Sequence, residues 1–287
     1  MTDNRFGALI GAPNRIDTAG LSGGDWIANS RNNLQSRPFS QAAQSNGLNL
    51  AATQFVLTLD RPRQIHILAL LAHNLGHQAR VRWRLFEDAA RQKLVLDLGW
   101  QWAWPVKPTA EMSWDDSNWW GGAMDEERRQ FLPCHHFTVL PDATWCAAIH
   151  CEIDDSANPA GYVRIGRAGA YDGIRPDYNV APGLKLGHET TEKLIWTEAQ
   201  TAASAGGMIT RTVQAEFGRL SDAEARRLLD LERRLGLLGE LVWIQRPLEP
   251  ASFAHEAFPA RLRDFGAANW QQWTRWSKTL ALTEIIS

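Results

Sequence analysis

At 287 residues the chain exceeds the usual length of one domain, and with 44% hydrophobic residues it has enough apolar mass for two cores. The 30 Lys and Arg against 32 Asp and Glu leave a formal net charge of −2, too weak a field to draw the protein to nucleic acid or an anionic membrane. No run of eighteen apolar residues occurs, the start MTDNRFGALIGAPNRIDTAG lacks a basic stretch followed by an apolar core, and Cys134, Cys146 and Cys151 form an odd set without CxxC spacing; membrane insertion, secretion by a signal peptide and a disulfide framework are all unexpected.

The opening stretch to about Gly47 is rich in Asn, Gly, Ser and Pro and shows neither regular periodicity, which predicts ordered loop with short strands. From Leu48 two apolar strands follow, separated by the turn-like Asp60-Arg61-Pro62-Arg63. The second, around Ile65, Ile67, Ala69 and Leu71, is apolar on both faces and so expected to be buried on both. In ARVRWRLF, Val81, Trp83 and Leu85 alternate with Arg80, Arg82 and Arg84, the mark of a half-exposed strand. KLVLDLGW continues the β pattern, and a long loop rich in Trp, Pro, Gly and acids then interrupts it, with MDEERRQF as a helical turn. Strands return in HHFTVL and in ATWCAAIHCEIDD.

A domain boundary is expected in the turn-rich DSANPAG, dividing the chain into 1–157 and 158–287. Beyond it, TAASAGGMITRTVQAEFGRL reads as one or two strands. SDAEARRLLDLERRLGLLG reads as a helix over about 221–236: Ser221 and Glu224 make a capping box, Ala225, Leu228, Leu229, Glu232 and Leu235 form an apolar stripe, and Gly236 or Gly239 ends it. ELVWIQRP is a strand stopped by Pro247, and the remainder reads as two closing strands.

The chemistry-bearing residues do not assemble into a catalytic signature. His73 and His77 sit i, i+4 in HNLGH, but Asn74 and Gly76 favour a turn and the Glu of HExxH is missing. Cys134, His135 and His136 are adjacent on a strand and would point to alternate faces. There is no GxSxG, the Gly-rich pieces lack the Lys-Ser/Thr of a phosphate loop, and Asp115-Asp116, Asp154-Asp155 and Asp125-Glu126-Glu127 read as solvated turns. No enzyme activity, metal or cofactor is expected.

Tryptophan is the unusual residue: 14 against 3 Tyr, seven of them between Trp83 and Trp120. Trp100, Trp102, Trp104, Trp114, Asp115, Asp116, Trp119 and Trp120 are the candidate recognition residues. Sugar CH groups stack on aromatic rings while Asp and Asn bind hydroxyls, yet the same tryptophans could anchor a loop or fill a subunit interface. Both alternatives stay open.

IHILALLAHNLGHQARVRWRLF, followed after the Trp-rich loop by ATWCAAIHCEIDDSANPAGYVRIGRAGA, resembles the galactose-binding-like, discoidin-type jelly roll over roughly residues 20 to 170. With GGMITRTVQAEFGRL, SDAEARRLL, ELVWIQRP and ALTEIIS, the chain is similar to tail-associated proteins of bacteriophages and prophages. The AGAYDG that follows Arg167 departs from that pattern, being small where a bulkier strand is usual. The resemblance implies a mainly β fold: an N-terminal galactose-binding-like β-sandwich and a β-rich α+β C-terminal domain with one main helix. It also implies a non-catalytic component of a phage tail tip or baseplate, assembled in the host cytoplasm, present in several copies in a ring and partnered by other tail proteins. The alternative is a carbohydrate-binding accessory protein that recognises a host-surface glycan.

Overall fold

The computed structural model describes residues 7–104, 114, 119, 134–196, 202–272 and 274–286. The chain forms two compact units, one of Leu9–Arg175 with Val242–Phe258 and the other of Pro176–Leu241 with Pro259–Ile286. Strands β1 (Leu9–Asn14), β2 (Gly20–Ser22), β3 (Ala43–Gln44), β4 (Gln54–His73), β5 (Arg80–Phe86), β6 (Leu94–Trp102), β7 (His135–Asp154) and β8 (Arg164–Ile174) lie in the first unit. Then come β9 (Lys185–Thr190), β10 (Lys193–Trp196), β11 (Ala202–Ala205), β12 (Ile209–Leu220), helix α1 (Asp222–Leu235), β13 (Leu241–Ile244), β14 (Ala257–Leu262), β15 (Ala268–Gln272) and β16 (Arg275–Glu284). The mainly β class with one substantial helix is as expected, and the pairings are antiparallel.

The first unit is a sandwich whose layers share two strands. The Asp60-to-Arg63 stretch does not separate two strands; one twenty-residue strand, β4, runs through it, and HHFTVL and ATWCAAIHCEIDD likewise join as β7. Gln54 to Thr58 pair with Glu152 to Ala148, the register then shifts twice, and Ile67 to Leu71 pair with Val139 to His135. The exposed residues between these stretches carry each strand around a corner, stiffened at Asp60 by a hydrogen bond from Arg63 Nε of 3.0 Å. One layer therefore runs β6-β5-β7-β4-β2, and the other β7-β4-β8-β1-β13.

The shared interior holds Phe55, Leu57, Leu68, Leu70, Val81, Trp83, Leu85, Ile149, Cys151 and Ile153. Trp83 is fully buried and meets Phe55 edge to face at 6.1 Å. The alternation in β5 thus sorts as the sequence predicts, with Val81, Trp83 and Leu85 inside and the arginines outward. The small residues of AGAYDG also acquire a reason: the Tyr171 ring lies where a Cβ on Gly169 would be, and the His66 imidazole where one on Gly173 would be. Bulk at either position would collide with a neighbour on the same face.

The boundary between the units falls at Arg175/Pro176 rather than at 157/158. β8 is a full member of the sandwich, paired to β4 from Ile67↔Tyr171 to His73↔Ile165, so the turn-rich DSANPAG is an internal loop. β13, expected in the C-terminal domain, places Trp243 opposite Ile10 of β1 in the sandwich.

In the second unit β12 lies between β9 and β16, and β16 pairs with β14 and β15, three closing strands where two were expected. Helix α1 has the predicted capping box, Ser221 accepting from the Glu224 backbone and Glu224 from the Ser221 N–H. Its buried face uses Ala225, Leu228, Leu231 and Glu232, whereas Leu229 is exposed. The Glu232 carboxylate is tolerated there because the buried Lys278 ammonium lies 2.9 Å from it. No described helix is long and apolar enough to cross a membrane. The MDEERRQF stretch lies outside the described residues.

Candidate functional site

Strand β6 carries the first of the predicted tryptophans, and a one-residue bulge decides which way they point. Arg84 faces Asp97 across the β5–β6 pair, but Arg82 faces Trp100, so Leu98 and Gly99 together oppose Trp83. Gly99 takes φ 66°, a left-handed conformation that glycine adopts without steric cost, and its N–H donates to Asp97 Oδ1 at 2.9 Å. Strict alternation from Asp97 would turn Trp100 and Trp102 into the sandwich. The extra residue puts both on the outward face beside Arg82 and Arg80.

That outward face is a ladder of compensated charge. Arg80 donates to Asp154 at 2.8 Å, and its guanidinium lies 5.8 Å from the centre of the Trp100 ring. Arg82 binds Asp97 through two nitrogens, Nε at 3.0 Å, and this hydrogen bond is the main reason the Asp97 carboxyl is held down to about 2. Arg84 pairs with Glu152 at 2.9 Å and donates to His150 Nδ1 at 3.0 Å, leaving His150 Nε2 to donate to Gln54 Oε1 at 2.8 Å. Burial lowers the pKa of His150 and favours this neutral form. Three guanidiniums and three carboxylates cancel locally.

Beside this ladder opens a cavity of about 510 Å³ lined by β6 and the residues after it, by the first half of β7 and by the segment 247–253. Its aromatic and apolar walls include Trp102, Trp104, Phe137 and Phe253. One wall is polar: His136 Nδ1 lies 3.0 Å from the Ala103 carbonyl, and Thr138 Oγ1 is 3.0 Å from both His136 Nε2 and Gln101 Oε1. The Ala103 carbonyl takes the Nδ1 proton, so Nε2 is an acceptor. A threonine hydroxyl has one proton for two acceptors, which leaves accepting capacity at the cavity wall for a ligand that donates. Desolvation pushes the His136 pKa down to about 4 and keeps the ring neutral.

The predicted residues divide on inspection. Trp100 and Trp102 are 37% and 52% exposed on one face, and Trp102 also lines the cavity. Trp104 is buried, donates Nε1 to the Leu75 carbonyl at 2.9 Å and meets His73 edge to face at 5.3 Å, so it anchors the chain end of β6. Trp114 is 83% exposed and Trp119 half-buried, while Asp115, Asp116 and Trp120 lie outside the described residues. His73 is packed in its turn, its Nδ1 accepting from the Leu75 N–H at 3.3 Å. His135 and His136 point to opposite faces, toward Phe39 and Thr138 respectively. Among the described residues no group of three or more His, Cys, Asp or Glu could hold a metal ion.

Gln101, Thr138 and the 247–253 segment were not singled out by sequence, and His136 was weighed there only as a metal ligand. Gln101 and Thr138 are ordinary residues in β strands, and nothing local to Pro247, Pro250 or Phe253 signals their return to β7 from more than a hundred residues away along the chain.

No family model and no curated protein matches the chain. Among solved structures it is similar to the lectin domain of lectinolysin complexed with Lewis B antigen, at 8% identity and a TM-score of 0.37 over 57% of this chain and 99% of that one. It is also similar to the family 32 CBM from Clostridium perfringens NanJ in complex with galactose, at 11% identity and a TM-score of 0.36 over 57% of this chain and 99% of that one. A third likeness is to CBM32-1 from a family 31 glycoside hydrolase of the same organism, at 10% identity and a TM-score of 0.34 over 55% of this chain and 97% of that one.

Proposed function

We propose that the sandwich unit is a non-catalytic carbohydrate-binding module whose site is the tryptophan ledge of β6 together with the adjoining cavity. The observation that carries this reading is Trp102, half exposed on a β-sheet face and at the same time a wall of a cavity whose polar side offers acceptors to hydroxyl donors. An aromatic face for CH stacking next to fixed hydrogen-bonding groups is what recognition of a sugar ring needs. Because the arginines and acids beside it are paired, the ledge presents no net charge, which supports an uncharged saccharide over an acidic one. A glycan array with the full chain, followed by titration calorimetry on the best hit, tests the proposal. Binding to neutral glycans that disappears in a correctly folded Trp102→Ala variant supports it; no binding to any glycan on a broad array overturns it.

A second reading keeps the role implied by the resemblance, a structural part of a phage tail located in the virion. It is favoured by exposed apolar side chains in the β9–β12 region of the second unit, Ile195, Trp196, Met208 and Ile209, with Trp196 67% exposed. Exposed apolar residues of this kind suit a protein–protein interface. Mass spectrometry of purified virions tests it, and absence of the chain from intact particles sinks it. A tail component can display a glycan-binding domain, so the two readings are compatible.

A further inference from the structure

We infer that β9 is a self-pairing edge, and that two copies of this chain join antiparallel through it about a two-fold axis at Gly187. On its inner side β9 is fully used: its six residues pair with β12 without a register shift, from Lys185↔Gln214 to Thr190↔Ile209. Its outer side pairs with no described strand, and all six residues are exposed. A strand in that position presents a row of backbone donors and acceptors, and proteins usually blunt such edges with proline, a bulge or a covering element. β9 contains no proline and no bulge, and its edge lysine, Lys185, which alone would repel a second strand, is the charge that Glu189 of a second copy compensates.

The occupant is identified by the sequence of the strand, Lys-Leu-Gly-His-Glu-Thr. In a two-fold antiparallel pair centred on Gly187, Lys185 lies opposite Glu189 of the second copy, Glu189 opposite its Lys185, and Leu186 opposite its His188. Facing residues of an antiparallel pair point to the same side of the sheet, so the axis moves in whole residues. At Leu186 it sets Lys185 against Gly187 and the two Leu186 against each other; at His188 it sets Glu189 against Gly187 and Leu186 against Thr190. Of these registers the centred one brings opposite charges together, and it does so twice because the interface is isologous.

The same register disposes of an exposed side chain. Leu186 shares a sheet face with its cross-strand partner Val213, which is buried, yet Leu186 itself is 52% exposed, with no further described strand flanking it. About the Gly187 axis the two Leu186 side chains become diagonal neighbours across the new strand pair, within reach of each other. Glu189 also contacts Arg263 of its own chain at 2.5 Å; with two carboxylate oxygens it can accept from Arg263 and from Lys185 of the second copy together.

Sedimentation velocity of the full chain over a concentration series is the test, with thermal melts to show that each variant folds. The wild-type mass should rise from one chain to two. Lys185→Glu and Glu189→Lys should each remain at one chain, since each places like charges across the axis, and mixing the two should restore a species of two chains with one of each variant. Wild-type protein that stays at one chain throughout, a closed ring of more than two, or a dimer indifferent to both charge reversals would overturn the proposal.

Discussion

Replacing Trp102 with alanine removes the ring that belongs to both parts of the site. With Trp102 at 52% exposure, about 130 Å² of a side chain of roughly 250 Å² faces solvent. A sugar ring stacked on one face covers about half of that, and about 65 Å² at about 25 cal/mol per Å² is worth about 1.6 kcal/mol. At about 1.4 kcal/mol per factor of ten, the dissociation constant of a bound glycan should rise about 15-fold. Trp102 lies at the end of an edge strand and outside the interior, so the melting temperature should hardly move. Calorimetric titration reads the affinity and differential scanning calorimetry the stability. Wild-type affinity in the alanine variant would remove Trp102 from the site and with it the proposed ledge, whereas lost binding with a lowered melting temperature would assign it to packing.

Other perturbations test neighbouring parts. Gly99→Val places a branched residue at φ 66° and should destabilise the protein by about 1–2 kcal/mol while weakening glycan binding, since the bulge that turns Trp100 and Trp102 outward is strained; urea denaturation and the same titration check both. Acidification should destabilise the sandwich between about pH 6.5 and 4: burial lowers His136 and His66 to about 4 in the fold, so in this window the unfolded chain binds more protons and stability falls as pH falls. A His136→Asn variant, which can still donate to the Ala103 carbonyl, should show a shallower loss in melts across that range. Ser221→Ala removes one half of the α1 capping box and should cost about 1 kcal/mol by denaturant titration, with no change in glycan binding.

What was legible in the sequence was local periodicity. The alternation of Val81, Trp83 and Leu85 with three arginines gave β5 and its inward face, and Ser221 with Glu224 gave the start of α1. What was not legible depends on residues far apart in sequence. The stretch Asp60 to Arg63 has turn composition, yet the pairing of β4 with β7 keeps it in one bent strand. DSANPAG has linker composition, but β8 beyond it is held by β4, so the division into units moved to Arg175. At the site, sequence found Trp100 and Trp102 by their abundance, grouped them with a Trp104 that is buried, and passed over Gln101 and Thr138, whose roles come from the strand that lies beside them. The bulge at Gly99 had a trace in sequence, a glycine inside an apolar alternation, though not its consequence for the two rings.

The sharing of β4 and β7 between both layers also bears on how the sandwich forms. A layer built from its own strands could assemble first and wait for the other. Here neither can, because Gln54 pairs with Glu152 in one layer and Leu71 with His135 in the other along the same two strands. Once the two long strands meet in register, both layers have their central pair, and until they meet neither has one. Folding of this unit should therefore be a single cooperative event dominated by contacts distant in sequence and slow by the standards of helical domains, and a chain truncated within β7 should keep neither layer rather than half of the sandwich.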